Sequence, residues 1–357
     1  MTTASSAGSL GGLRYLPVVA FAAVAGYVFM EMAARVTIVS GQSLGAQLGR
    51  AGRWLPRLTF GAVAFGCVAY QSGNLLGALG GLQLIFPLGR AWLVPCAAAI
   101  AALSWSGSAR RIGNVMAGVV ALMGLLFVVA AVYSLLAGGV PSRPEVPLAP
   151  ATLLGLLGTT IVPYNFFLAA ALGTDGGLAD MRRGLRLSFA VGLVVTAAIV
   201  VTGAVVTRFA SFADLADGLT GVLGGYGRLA LGVGLFAAGF SSATTAPFAA
   251  AMAGRGLLGA AGRAWAPTGG AFRAVWLTVL GVGLGVALLR LDILSVILVA
   301  QVINGLLLPF IAAVVLYLAN RRSLLGTDVN GWWQNAVGGG VLLYLLYNSG
   351  KFLLGLL

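Results

Sequence analysis

Three short polar clusters lie inside otherwise apolar stretches, and each carries groups able to bind a cation or to join helices. The clearest runs from Gly155 to Asn165 and contains Gly158, Thr159, Thr160, Ile161, Val162, Pro163 and Tyr164. Pro163 has no N–H, so in a helix the carbonyl four residues earlier, on Thr159, loses its donor. That carbonyl falls near mid-span, with the hydroxyls of Thr159 and Thr160 and the amide of Asn165 close by. Two readings stand. A discontinuous helix whose carbonyls face a cavity is how many secondary transporters hold a cation. A proline kink healed by the two threonine hydroxyls needs no ligand.

The second cluster holds Gln301 and Asn304, followed by Pro309. Their spacing of three puts both amides on one helix face. They fit interhelical hydrogen bonds, and the Gln301 oxygen also fits a hard cation. The third cluster is Tyr70-Gln71-Ser72-Gly73-Asn74, followed by Gly77. Gln71 and Asn74 again share a face, suited to joining helices or to lining a polar path. Glu31 is the one acidic residue well inside an apolar stretch, with Arg35 four residues later. That order favours a helical ion pair, expected here to snorkel toward the cytoplasmic boundary. Asp292 and Arg290 read as anchors at the opposite boundary.

Enzyme signatures are missing. The stretch Gly239-Phe240-Ser241-Ser242-Ala243-Thr244-Thr245 has no histidine or cysteine beside it to activate a nucleophile. Its small residues suit close helix packing. No glycine-rich phosphate loop opens a nucleotide domain. The longest connection, about 138–150, is proline-rich and too short for a catalytic domain.

The elements that must carry these clusters follow from composition. Charged residues are 8% of the 357 and apolar ones 60%, against roughly 25% and 45–50% in soluble domains. A water-soluble domain, a disordered chain and a disulfide scaffold are excluded. Histidine is absent, which removes imidazole metal sites and relays. Cys67 and Cys96 lie in apolar segments and read as buried small hydrophobes. A bilayer core of about 30 Å needs about 20 apolar residues per helix. Such runs occur near 15–39, 58–79, 91–106, 112–138, 151–172, 186–208, 229–253, 272–290, 293–319 and 333–356, with 91–106 the shortest. They are continuous, so helices are expected and barrel strands are not. With ten spans, fourteen of the 21 cations fall on the cytoplasmic side and seven opposite. The positive-inside rule thus accounts for most of the +13 charge, and a nucleic-acid partner is not implied. Residues 1–12 lack a basic start, so they are no signal peptide. They resemble the second half of a helix, with small residues on every face.

Taken in order, these segments resemble the Nramp family of divalent metal transporters. Glu31 to Leu44 is similar to the end of the family's second helix, and Gly73 to Gly77 to its third in one bacterial branch. Gly158 to Asn165 resembles the broken sixth helix; Gly239 to Ser242, and Gln301 with Asn304 and Pro309, resemble the eighth and tenth. The resemblance implies an all-α membrane protein of LeuT type: an inverted-repeat bundle of about ten full spans plus an N-terminal half-helix. Within one domain over 1–357, residues 1–12 would be the residual half of helix one and 13–138 the rest of the first repeat. Residues 151–319 would form the second repeat and 333–357 an extra helix. The resemblance also implies that the natural start lies upstream, at a segment ending in Gly-Pro-Gly. The family's Asp-Pro-Gly-Asn metal motif is absent.

The metal positions implied are Thr159, through its carbonyl, Val162 in place of a methionine, and Gln301. Thr160, Pro163, Tyr164, Asn165, Asn304, Gln71 and Asn74 are implied as supporting or pathway groups, with Tyr164 in place of a histidine. Gln71 and Asn74 stand where typical members carry the carboxylates of a proton path. Loss of the soft thioether favours hard ions such as Mg²⁺ over transition metals. The expected partners are a lipid bilayer and a divalent cation as substrate, with no cofactor, in a bacterial inner membrane.

Overall fold

Short residues at the start of the chain do what small side chains do in a bilayer: they let backbones touch. In the computed structural model α1 spans Thr2–Gly11 and passes through a 3-10 turn, Gly12–Tyr15, into α2, Leu16–Ser40. The turn needs a left-handed residue, and Gly12 takes φ 60° at no steric cost. Thr2, Thr3, Ala4, Ser5, Ala7, Gly8 and Ser9 are all buried.

The remaining helices are α3 (Leu44–Ala51), α4 (Leu55–Ile85), α5 (Leu93–Trp105) and α6 (Ala109–Leu136). There follow α7 (Pro150–Thr160), α8 (Pro163–Leu172), α9 (Leu178–Ala204), α10 (Phe212–Leu223) and α11 (Gly227–Leu258). The chain continues with α12 (Gly270–Leu288), α13 (Ile293–Ala319), α14 (Arg322–Leu325) and α15 (Trp332–Leu354). The structure describes residues 1–106, 108–136, 140–141, 150–172, 177–206, 209–259, 262–289 and 291–355. Arg143, Glu145, Asp175, Arg208, Arg290 and most of the 138–150 connection lie outside them.

Among the described residues there is no strand, and nine helical stretches are long and apolar enough to cross a membrane. The tenth expected span, Arg90–Trp105, is shorter than these. The α4 and α11 helices outrun the apolar runs 58–79 and 229–253. Helix ends are set by backbone chemistry rather than by loss of hydropathy: Pro56 occupies the first turn of α4, where a missing N–H costs nothing.

Glycines fix the closest crossings. A Cβ on Gly8 would stand 2.1 Å from the Val200 carbonyl oxygen, so α1 lies backbone-to-backbone on α9. A Cβ on Gly239 would stand 2.3 Å from the Ala78 nitrogen. The expected close packing at 239–245 therefore holds at its glycine, where α11 meets α4. Both cysteines are free, Cys67 buried and Cys96 partly so.

The α3, α10 and α14 helices have no counterpart among the apolar runs. The α10 helix starts at a capping box, in which Ser211 Oγ accepts from Asp214 N at 3.2 Å and Asp214 accepts from Ser211 N at 2.7 Å. The Ser-x-x-Asp spacing was its sequence signal. At the start of α13, Asp292 accepts from Ser295 N at 2.8 Å. That bond holds its carboxyl below the usual range.

The Glu31–Arg35 pair corrects its expectation. Neither group snorkels: Glu31 is 4% and Arg35 1% exposed. Arg35 Nε donates to Glu31 at 3.1 Å, and its guanidinium also reaches the Asp328 carbonyl and, at 2.5 Å, Asn330 Oδ1. Arg182 on α9 donates to the same carboxylate at 2.9 Å. The segment leading into α15 covers the end of α2, so the charges find protein partners where water was expected.

Candidate functional site

Helix formation fails between α7 and α8 for the reason read from the sequence. Ile161 N still donates to the Leu157 carbonyl at 2.7 Å. Pro163 then starts α8 without an N–H for the Thr159 carbonyl, leaving Ile161 and Val162 outside either helix. The chain resumes with Asn165 N donating to the Val162 carbonyl at 3.0 Å.

What brings the second cluster to this break is Gly158. A Cβ there would lie 2.4 Å from the Gln301 backbone oxygen and 2.8 Å from Gly305 N. Only a glycine lets α7 sit this close to α13. The Gln301 side chain then turns toward α4, where Tyr70 waits. The Tyr70 hydroxyl is 2.9 Å from the Gly158 carbonyl and hydrogen-bonds Gln301 Oε1. Its ring meets Tyr164 of α8 edge-on, with centroids 6.2 Å apart. Four helices thus converge on one group of neutral oxygens.

A cavity of about 1150 Å³ opens beside this point. Of the residues expected at the site, it is lined by Thr159, Val162, Tyr164, Asn165, Gln301 and Asn74. Tyr70, Ser241, Ser242 and Thr245 line it as well. Asn74 Nδ2 is buried without a partner.

The other expected residues stand apart from the cavity. Gln71 is fully buried and donates to the Ala243 carbonyl at 3.0 Å, joining α4 to α11. Asn304 donates to the Ala300 carbonyl at 3.1 Å and to the Gly66 carbonyl at 3.4 Å, joining α13 to α4. Both are interhelical links of the kind expected for amides at depth. Pro163 acts through the bond it cannot make. Thr160 Oγ1 is buried without a partner, so the hydroxyl does not heal the break.

Sequence reasoning placed Tyr70 in a polar cluster but gave it no role. The missing information was register: only the packed helices show that Tyr70, rather than its neighbour Gln71, faces the break. The lining side chains named here include no carboxylate. Among the described residues no cluster of three His, Cys, Asp or Glu side chains could hold a metal. What the site offers is hard, neutral oxygen: the carbonyls of Gly158 and Thr159 and the Gln301 amide. Such donors suit hard cations.

The chain is similar to known proteins along most of its length. The profile described as "Natural resistance-associated macrophage protein-like" (Nramp) matches residues 1–355. A Pseudomonas aeruginosa protein, divalent metal cation transporter MntH 1, is 28% identical over 94% of this chain and 83% of its own. The Erwinia tasmaniensis divalent metal cation transporter MntH is 25% identical over 71% of this chain and 67% of its own. Among solved structures, the Eremococcus coleocola manganese transporter superposes with a TM-score of 0.77 at 19% identity, covering 98% of this chain and 81% of that one. One of its crystal forms holds an aromatic bis-isothiourea substituted compound. With the profile spanning nearly every residue and the same fold in the superposed transporter, the chain belongs to the Nramp family of multi-pass membrane transporters, and it is not an enzyme.

Proposed function

We propose that this protein carries divalent metal cations across the bacterial cytoplasmic membrane by alternating access. The observation that carries the reading is the broken helix itself: a Thr159 carbonyl with no helical donor, beside Gln301, at the wall of a cavity. Relatives bearing the name divalent metal cation transporter support the substrate class. Residues 13–138 and 151–319 act as the two repeats, with 1–12 as a half-helix against the second and 333–357 as an appended helix. Rocking of one repeat's bundle against the rest exposes the site to each side in turn.

Within that class the site favours hard ions. Val162 offers no side-chain donor, so the sulfur that holds transition metals is gone. A small hard ion such as Mg²⁺, retaining part of its water shell, fits neutral oxygens beside a roomy cavity. Gln71 and Asn74 cannot titrate, so metal movement is at most weakly coupled to protons.

The test is uptake into proteoliposomes. Mg²⁺ flux is expected to exceed Mn²⁺ flux, to run without matching proton flux, and to fall about tenfold or more in Gln301→Ala. Proton-driven Mn²⁺ uptake as the main activity overturns the selectivity and coupling. Absence of divalent flux in both forms points to a scaffold. Flux of an organic solute untouched by divalent ions points to a carrier of another substrate.

A further inference from the structure

We propose that the Tyr70 hydroxyl is an internal competitor for the transported cation, holding the empty site by capping the oxygens the ion would use. The inference rests on the transport reading above and adds a residue that sets affinity.

The geometry is specific. One phenol group reaches both the Gly158 carbonyl, at 2.9 Å, and the Gln301 side-chain oxygen. These acceptors come from the broken helix and from α13, and Tyr70 comes from α4. With Gln301 Oε1 toward Tyr70 the one phenol proton is shared between the two acceptors; with the amide reversed the proton goes wholly to the Gly158 carbonyl and the amide N–H donates to the phenol oxygen. Tyr70 is 5% exposed and meets the cavity only along its wall. Without the hydroxyl, the acceptor that holds its proton would lose its protein partner, at a cost of about 1–3 kcal/mol. A cation meets the same need, but the hydroxyl proton points at the same lone pairs. Ion and proton therefore cannot both occupy them. Tyr70 is held on one flank by the edge of Tyr164 and borders the cavity on another. It has room to swing clear.

A linkage argument gives this idea a signature. If binding requires the uncapped state, the apparent dissociation constant is the intrinsic one divided by the uncapped fraction. That fraction belongs to the protein alone. Removing the hydroxyl must then tighten every ion by the same factor. A tyrosine that ligates the metal would instead weaken binding, and by different factors for different ions. A tyrosine that only packs would leave affinity unchanged.

The experiment is isothermal titration calorimetry of wild type and Tyr70→Phe with MgCl₂ and with MnCl₂, in detergent. Metal-free melting temperatures of both proteins are measured alongside. Tyr70→Leu, which is apolar and carries neither a donor nor a metal ligand, stands in if the first variant does not fold. The expected result is tighter binding, about two- to tenfold, equal for both ions, with a lower metal-free melting temperature. Wild type that binds an ion as tightly as, or more tightly than, the variants overturns the inference and leaves the transport reading intact. Unequal factors for the two ions also overturn it. No binding by wild type or by either variant overturns the transport reading, and this inference with it.

Discussion

Two polar regions interrupt this apolar bundle, and they are satisfied in opposite ways. Toward the C-terminal end of α2, the Glu31 carboxylate meets Arg35 and Arg182, and Arg35 also meets Asp328 and Asn330. Each buried charge there has a partner. At the α7–α8 break the groups are neutral, one hydroxyl serves two acceptors, and Asn74 Nδ2 and Thr160 Oγ1 have no partner. Full ionic satisfaction makes a fixed joint, since any motion there would strand a charge in low dielectric. Incomplete neutral satisfaction leaves a place where an ion can substitute for a proton. The charged corner, although it is the more conspicuous in sequence, is the structural one.

Substitutions can break this contrast. The largest effect is expected from Glu31→Ala, which leaves Arg35 buried without its anion. Thermal unfolding in detergent should show a loss of about 3–5 kcal/mol. A near-neutral result would mean that Asp328 and Asn330 suffice to hold Arg35. Next comes Gly158→Ala, whose methyl must push α7 off the Gln301 backbone. We expect a destabilisation of about 1–3 kcal/mol, together with loss of uptake as the two halves of the site part. Gln301→Ala sharpens the comparison from the other side. Its melting should fall by only about 1 kcal/mol, while Mg²⁺ flux falls about tenfold. A variant that melts far below wild type and retains flux would reverse the roles given to the two regions. The smallest effect belongs to Arg182→Ala. That side chain is 39% exposed, so its bond to Glu31 is weakened by solvent, and a loss under about 1 kcal/mol is expected. The loss should shrink further as salt is raised.

Much of this was legible in the residues. Pro163 marked the place, because a missing N–H is a local fact, but Pro247 and Pro309 lie inside continuous helices, so the sequence left kink and break both open at 161–162. Residues 1–12 read as part of a helix with small residues on every face, and Gly8 of α1 lies against Val200 of α9. The α10 helix was less visible, because its capping box lies outside the long apolar runs. For Gln71 and Asn304, linking helices and lining a path both stood open, and both link helices. Their shared faces with Asn74 and Gln301 gave only a spacing. A face spanning three or four residues is broad enough to touch a cavity at one edge and a neighbouring helix at the other.

By itself the sequence determined that this chain lives in a bilayer as helices, where one of them loses a backbone hydrogen bond, and that no carboxylate or basic side chain accompanies that point in its own segment. Those are properties of composition and of single residues, and they need no knowledge of neighbours. Only the tertiary structure decided which oxygens face one another across α4, α7 and α13, that Tyr70 is the donor between them, and that Glu31 and Arg35 are sealed from water. Such pairings join residues up to about three hundred positions apart in the chain. Their partners are chosen by helix rotation and by the glycines that set helix separation, which no local pattern encodes.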